Sequence, residues 1–172
     1  MKSLDCNTIE GQKWISEQHT TNAILERHYN IEIKPHKEDD AVDDGWIYKN
    51  GKLFGVCEIK NRNFWSRPKQ TLYTLEKLYE NGDYLVTAEK LYWLKKTSQI
   101  KSINSYLFVD LINSKCILEF KITDSLFGEF LFNFETRRSK TRYSCNDYKG
   151  DTIRENAYLP IYSNPYFKVI KY

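Results

Sequence analysis

The hydrophobic pattern changes period several times along the chain. Residues 7–28, "NTIEGQKWISEQHTTNAILERH", carry a helical repeat. Stepping back from Leu25 by about 3.6 residues visits Thr21, Gln18 or Glu17, Trp14, and Glu10 or Gly11. Glu10 and Glu17 therefore fall close to the stripe expected to face the core. "YNIEIKP" reads as a short strand ended by Pro35, and "HKEDD" as a solvated turn. Strands near 42–49 and 52–60 form a hairpin around "KNG". Residues 68–80 read as a helix with Pro68 at its start, broken by "NGD". "YLVTAEKLYWLKKTSQ" reads mainly as a third helix, with an extended beginning as the alternative. "SYLFVDLI" and "KCILEFKI" are β-rich runs joined by Asn113-Ser114, which suits a second hairpin. "GEFLFNFE" is compatible with a further strand, residues 136–156 read as polar, basic and loop-rich, and "NPYFKVIKY" offers an edge strand. The order of helix, strand, hairpin, helices and further strands implies an α/β or α+β domain, with a mixed central sheet flanked by helices.

A chain of 172 residues suits one domain, with a core near 7–122 and a C-terminal β and loop extension near 123–172. Net charge is only +3, so any nucleic-acid contact must come from a local basic patch rather than from the overall balance. Cys6, Cys57, Cys116 and Cys145 are scattered, without a C-x-x-C pair, and His19, His28 and His36 lack ligand spacing. The N-terminal residues carry no apolar signal region, and no apolar run reaches the roughly 20 residues of a membrane helix. These features imply a cytoplasmic protein with free thiols and no membrane association.

The stretch "DDGWIYKNGKLFGVCEIKNR", residues 43–62, holds the candidate chemistry. Side chains alternate across a strand, so Glu58 and Lys60 share one face and Ile59 points to the other. Which acid joins them depends on the loop. A two-residue Asn50-Gly51 loop pairs Lys49 with Lys52 and sets Asp43 opposite Glu58. A three-residue loop sets Asp44 on Glu58's face and suits "KNG", with Gly51 in the left-handed position. Asp44 is preferred and Asp43 held in reserve, while a bulge at Gly55 would change the count. Two neighbouring carboxylates repel, and a divalent cation removes the conflict. Oxygen ligands suit Mg²⁺ (or Mn²⁺), which takes one or two carboxylates together with a substrate phosphate. Lys60 on the same face could orient water or stabilise charge on the phosphorus centre. The plain alternative is a solvent-facing ion pair on a half-exposed strand.

An acid on the first helix (Glu10 in "TIEGQ"), the Asp44-Gly45 pair and the Glu58-Ile59-Lys60 triplet together resemble the PD-(D/E)XK, or restriction-endonuclease-like, nuclease superfamily, specifically over residues 7–80. The pattern is also similar to small uncharacterised phage and prophage members. The resemblance implies a restriction-endonuclease-like core and a Mg²⁺-dependent DNA nuclease, phage-encoded, acting in the host cytoplasm. It implies a metal held by Asp44, Glu58 and the Ile59 carbonyl, with Lys60 assisting the water. Glu10 would be a helix carboxylate reaching the metal, with Glu17 as its competitor. Gln70 stands where relatives carry a glutamine, and small nucleases of this fold often form homodimers. The chain departs from the pattern in having no Pro before the Asp.

Two basic segments are candidate DNA contacts. Arg62, Arg67 and Lys69 lie just past the site, with Phe64 or Trp65 available to stack. Arg137, Arg138, Lys140, Arg142, Lys149 and Arg154 are interleaved with Tyr143 and Tyr148. A non-catalytic nucleic-acid-binding module and a protein-interaction domain are the rival functions.

Overall fold

The computed structural model describes the backbone of residues 8–35, 43–66, 71–142 and 151–172, and their side chains except at 10, 14, 64–66, 71, 140–142 and 151–152. Helix α1 (Ile9–Tyr29) starts where the Thr8 hydroxyl accepts the Gly11 N–H at 3.0 Å, and stops at Asn30, whose left-handed backbone (φ 51°) closes the last turn. Strands β1 (Glu32–Pro35), β2 (Gly45–Lys49) and β3 (Lys52–Arg62) follow as an antiparallel meander. The small ladder of β4 (Phe64–Ser66) and β5 (Thr71–Leu72), helix α2 (Leu75–Asn81), strand β6 (Asp83–Thr87) and helix α3 (Ala88–Lys101) form the crossover to β7 (Asn104–Leu111), which lies parallel to β3.

A 3-10 turn over Ile112–Ser114 leads into β8 (Cys116–Thr123), antiparallel to β7, as the Asn113-Ser114 hairpin signal implies. Strands β9 (Glu135–Arg142), β10 (Asp151–Pro160) and β11 (Phe167–Lys171) complete the chain. The central sheet has the order β1-β2-β3-β7-β8-β11, and a second sheet has the order β6-β10-β9. The class is mixed α/β of the α+β kind, with a mixed central sheet, and β11 is the edge strand expected of the tail.

Each face of the central sheet buries its own core. One face sets Leu25 of α1 against Ile47, Cys57, Ile59, Phe108 and Ile117. The other sets Leu91 and Leu94 of α3 and Tyr84, Ala157 and Leu159 of the second sheet against Val56, Leu107, Val109 and Leu118. Burial of these apolar side chains is the main stabilising force.

Three sequence-based expectations are corrected, and one choice between alternatives is decided. The helix expected over 68–80 begins only at Leu75, because the Thr74 hydroxyl accepts the Lys77 N–H and supplies the start signal assigned to Pro68, which lies outside the described residues. The third helix starts at Ala88, and its first four expected residues lie in β6, where burial alternates with the two-residue period of a strand, as the extended-beginning alternative has it. "GEFLFNFE" contributes a single bridge, Phe130 to Thr123, and its Phe130, Phe132 and Phe134 pack on the core as aromatics. In the region read as loop-rich, residues 136–142 and 151–156 form a ribbon, β9 paired with β10, in which Arg138 lies opposite Glu155, while 143–150 lie outside the described residues. Backbone pairing and the Asn156–Ser139 side-chain bond hold this ribbon without an apolar pattern to reveal it.

Candidate active site

The hairpin resolves the choice between the two aspartates by a route that combines two of the alternatives. Asn50 and Gly51 both have positive φ (52° and 73°), so the loop is the two-residue form and Lys49 pairs with Lys52. That loop alone would set Asp43 opposite Glu58. A bulge brings Asp44 to Glu58 instead: Tyr48 pairs with Leu53, but Ile47 pairs with Gly55, leaving Phe54 as the extra residue. Gly45 then faces Cys57, the Asp44 N–H donates to the Cys57 carbonyl at 2.9 Å, and Asp44 lies alongside Glu58.

Pairing between β2 and β3 stops at Gly45 and Cys57, whereas pairing with β7 continues to Arg62 and Leu111. The result is a step in the sheet. Asp44 fills it by accepting the Ile59 N–H on Oδ2 at 2.6 Å. The N–H and C=O of one strand residue point to the same edge, so the Ile59 carbonyl opens toward Asp44 as well. Gly45 has a steric reason to be glycine: a Cβ there would stand 2.9 Å from the Lys34 carbonyl oxygen of β1.

Glu58 is fully buried and lies between two ammonium groups. One is Lys60, in direct contact with Glu58 Oε1 from two residues along the same strand face. The other is Lys90 of α3, with Nζ 3.1 Å from Oε1 and 3.2 Å from Oε2. Burial pushes the Asp44 carboxyl up from the ordinary aspartate range, and the Glu58 carboxylate adds to the rise. Lys60, the Ile59 N–H and Lys90 pull it back. Burial also works against the Lys60 charge, but Glu58 and Asp44 outweigh it and raise the ammonium above the ordinary lysine value. Lys60 is therefore a fixed cation rather than a base at neutral pH.

Asp43 is buried too, with Oδ2 accepting from the Thr97 hydroxyl at 3.4 Å, two turns along α3 from Lys90. Glu17 is not brought to this cluster, and the Glu10 side chain lies outside the described ones. They lie on α1, which packs against the face carrying Cys57 and Ile59, opposite Glu58 and Lys60. Thr21 of α1 bonds Asn61, and Glu17 accepts from Asn63 at 3.4 Å, so α1 runs from the far end of β3 and its first turn lies further still from Glu58. Glu17 therefore does not supply the expected helix carboxylate, because core-stripe position does not say which sheet face a helix covers.

Lys90 is the site residue that sequence reasoning missed. It occupies the first turn of α3, where the helix dipole favours acids over cations. That local conflict is a readable signal only once the helix start is placed at Ala88.

Among the basic residues, Arg62 shares the face of Glu58 and Lys60, and its Nε donates to the Tyr84 hydroxyl at 3.1 Å. Arg67, Lys69 and Gln70 lie outside the described residues, as do Tyr143, Tyr148 and Lys149. Lys140 and Arg142 are on β9, and only their backbone is described. Arg137 is exposed, pairs with Glu135 and lies over the Tyr158 ring at 4.9 Å, and Arg138 is exposed on the same strand.

Among the described residues no three His, Cys, Asp or Glu side chains converge as a cation site. The donor set is smaller: two carboxylates and one carbonyl edge, all hard oxygens. Mg²⁺ fits such a set, since it keeps several waters, and a cation would offset the burial and the Glu58 charge that together raise the Asp44 carboxyl. Asp44, Glu58, Lys60 and Lys90 already sum to zero formal charge, so an added cation leaves the site positive and suited to a phosphate. None of the described helices is long and apolar enough to cross a membrane. Cys57 and Cys116 are buried free thiols. No protein-family model matches the chain, and no curated protein or solved structure matches it at a significant level.

Proposed function

We propose that the chain is a Mg²⁺-dependent DNA nuclease that hydrolyses phosphodiester bonds at the step between β2 and β3. One observation carries this reading: Asp44, Glu58 and Lys60 meet at the edge of a strand whose Ile59 N–H is fastened to Asp44. The topology supports it, because a helix, an antiparallel meander and a crossover to a parallel strand is the core arrangement that the PD-(D/E)XK resemblance implies. Asp44, Glu58 and the Ile59 carbonyl would hold Mg²⁺ or Mn²⁺. When bound, the cation supplies charge for the phosphate and lowers the pKa of water. Lys60, kept protonated by its carboxylate neighbours, stabilises charge that grows on the phosphoryl oxygens. Glu58 fixes Lys60 in place, and Asp44 fixes the edge of β3. Phage origin, a cytoplasmic place of action and a homodimer cutting both strands belong to the same proposal by resemblance.

A second reading is favoured by the balanced charge of the cluster. Two carboxylates matched by two ammoniums form a self-sufficient buried network, as in a nucleic-acid-binding module without catalysis. The two separate by calorimetric titration with Mn²⁺ and by gel shift in EDTA. The nuclease requires Mn²⁺ binding that Asp44→Asn abolishes. The binding module requires DNA binding that survives both EDTA and Asp44→Asn, with no Mn²⁺ heat in the wild type.

A further inference from the structure

Glu58, Lys60 and Arg62 stand in a row on one face of β3, and only the first two neutralise each other. Arg62 is half-buried, and its Nε donates to Tyr84, a side chain 1% exposed in the core beneath the second sheet. Among the described residues no carboxylate lies within ion-pair distance of it. The groups around its guanidinium are the hydroxyls of Tyr84 and Tyr73 and the like charge of Lys60. A guanidinium removed from water without an anion is unfavourable for folding. Tying Nε to a buried hydroxyl fixes the plane of the fork and leaves its two terminal nitrogens as donors. That geometry binds phosphate oxygens in pairs. Residues two apart on a strand are about 6–7 Å apart, a distance that one nucleotide of backbone spans.

We infer that Arg62 seats a second phosphate of the same nucleic-acid strand, next to the one taken at Asp44, Glu58 and Lys60, with Tyr84 as its positioning residue. The inference rests on the nuclease reading for the first phosphate. It adds that the substrate is a polynucleotide gripped at two consecutive phosphates rather than a lone phosphodiester.

The test uses wild type, Arg62→Met and Tyr84→Phe with a short single-stranded DNA in Ca²⁺, read by fluorescence anisotropy across a salt series. A parallel set of oligonucleotides carries one neutral methylphosphonate at successive positions. Arg62→Met should weaken binding about tenfold and reduce the salt slope by about one. It should also become insensitive to the methylphosphonate at one neighbour of the scissile position. Tyr84→Phe should weaken binding less and keep the slope. Without DNA, Arg62→Met should melt close to the wild-type temperature, because relief of a half-buried cation offsets the loss of its bond to the Tyr84 hydroxyl. A lower melting temperature with unchanged binding and slope assigns Arg62 a structural role and overturns the inference. If the wild type binds and cuts DNA and Arg62→Met does the same with equal affinity and slope, this inference alone falls. If the wild type neither binds single-stranded, duplex or branched DNA in Ca²⁺ nor cuts any of them in Mg²⁺, both proposals fall.

Discussion

The Asp44 carboxylate accepts the Ile59 N–H at 2.6 Å, which fastens the residue before β2 to the strand that carries Glu58 and Lys60. The bond holds a carboxyl in a place that burial and Glu58 both make unfavourable for its charge. Its raised pKa has a definite sign in stability. An acid raised on folding contributes stability below its unfolded pKa of about 3.9 and loses that contribution as pH rises through the folded value. Asp44→Asn keeps an oxygen for the Ile59 N–H and removes the charge. It should therefore be more stable than the wild type at pH 7, with the advantage gone below about pH 4. Urea denaturation at the two pH values checks this, and an Asn variant less stable at pH 7 would show that the Asp44 charge is favourable where it sits.

Glu58 holds two ammoniums at once, so its removal leaves both without their main partner. Glu58→Gln should cost about 2–3 kcal/mol. That lies below the cost of breaking a fully interior pair because the Lys60 and Lys90 side chains are 29% and 27% exposed. Lys90→Met in the Glu58→Gln background should recover part of the loss. A double-mutant cycle by denaturant unfolding measures the coupling, and additive single losses would mean that Lys90 and Glu58 do not interact in solution.

The Asp-Gly pair is a packing requirement as well as a motif. A Cβ at Gly45 would press on the Lys34 carbonyl, a backbone atom that cannot turn aside. Gly45→Ala should destabilise the protein by about 1–3 kcal/mol and loosen the pairing of β1 with β2. Amide exchange at Ile33 and Ile47 reports this directly, and unchanged protection would show that the two strands can separate without cost.

Acids on α1 should be dispensable for catalysis, since that helix covers the opposite sheet face. Glu17→Gln, alone or with Glu10→Gln, should retain kcat/KM within about threefold of wild type, a change below 1 kcal/mol. A loss of two orders of magnitude in a steady-state assay would return a helix carboxylate to the mechanism.

Much of this arrangement was legible in the sequence, because period and spacing are local. The strands that carry Gly45 to Lys49 and Lys52 to Arg62, the β7–β8 hairpin and the mixed class all follow from alternation and turn residues. What the sequence concealed depends on contacts far apart in the chain. The bulge at Phe54 shifts register by one residue, which moves Asp44 beside Glu58 even though the loop has two residues. Lys90 was hidden because "YLVT" continues into "AEKLYW" without a break, and its role exists only across 32 residues of chain. The polar β9–β10 ribbon pairs through its backbone, so it carries no hydrophobic alternation to find.

Cleavage of DNA tests the central claim most directly. Wild type, Asp44→Asn and Lys60→Met are incubated with single-stranded, duplex and branched DNA in Mg²⁺, Mn²⁺ or EDTA, and single-turnover rates are measured. The expected result is cleavage of at least one substrate by the wild type with either metal and none in EDTA. Asp44→Asn should be inactive, and Lys60→Met slower by about 10²–10³-fold. Intact DNA in every wild-type reaction, or cleavage that Asp44→Asn and Lys60→Met retain in full, would contradict it.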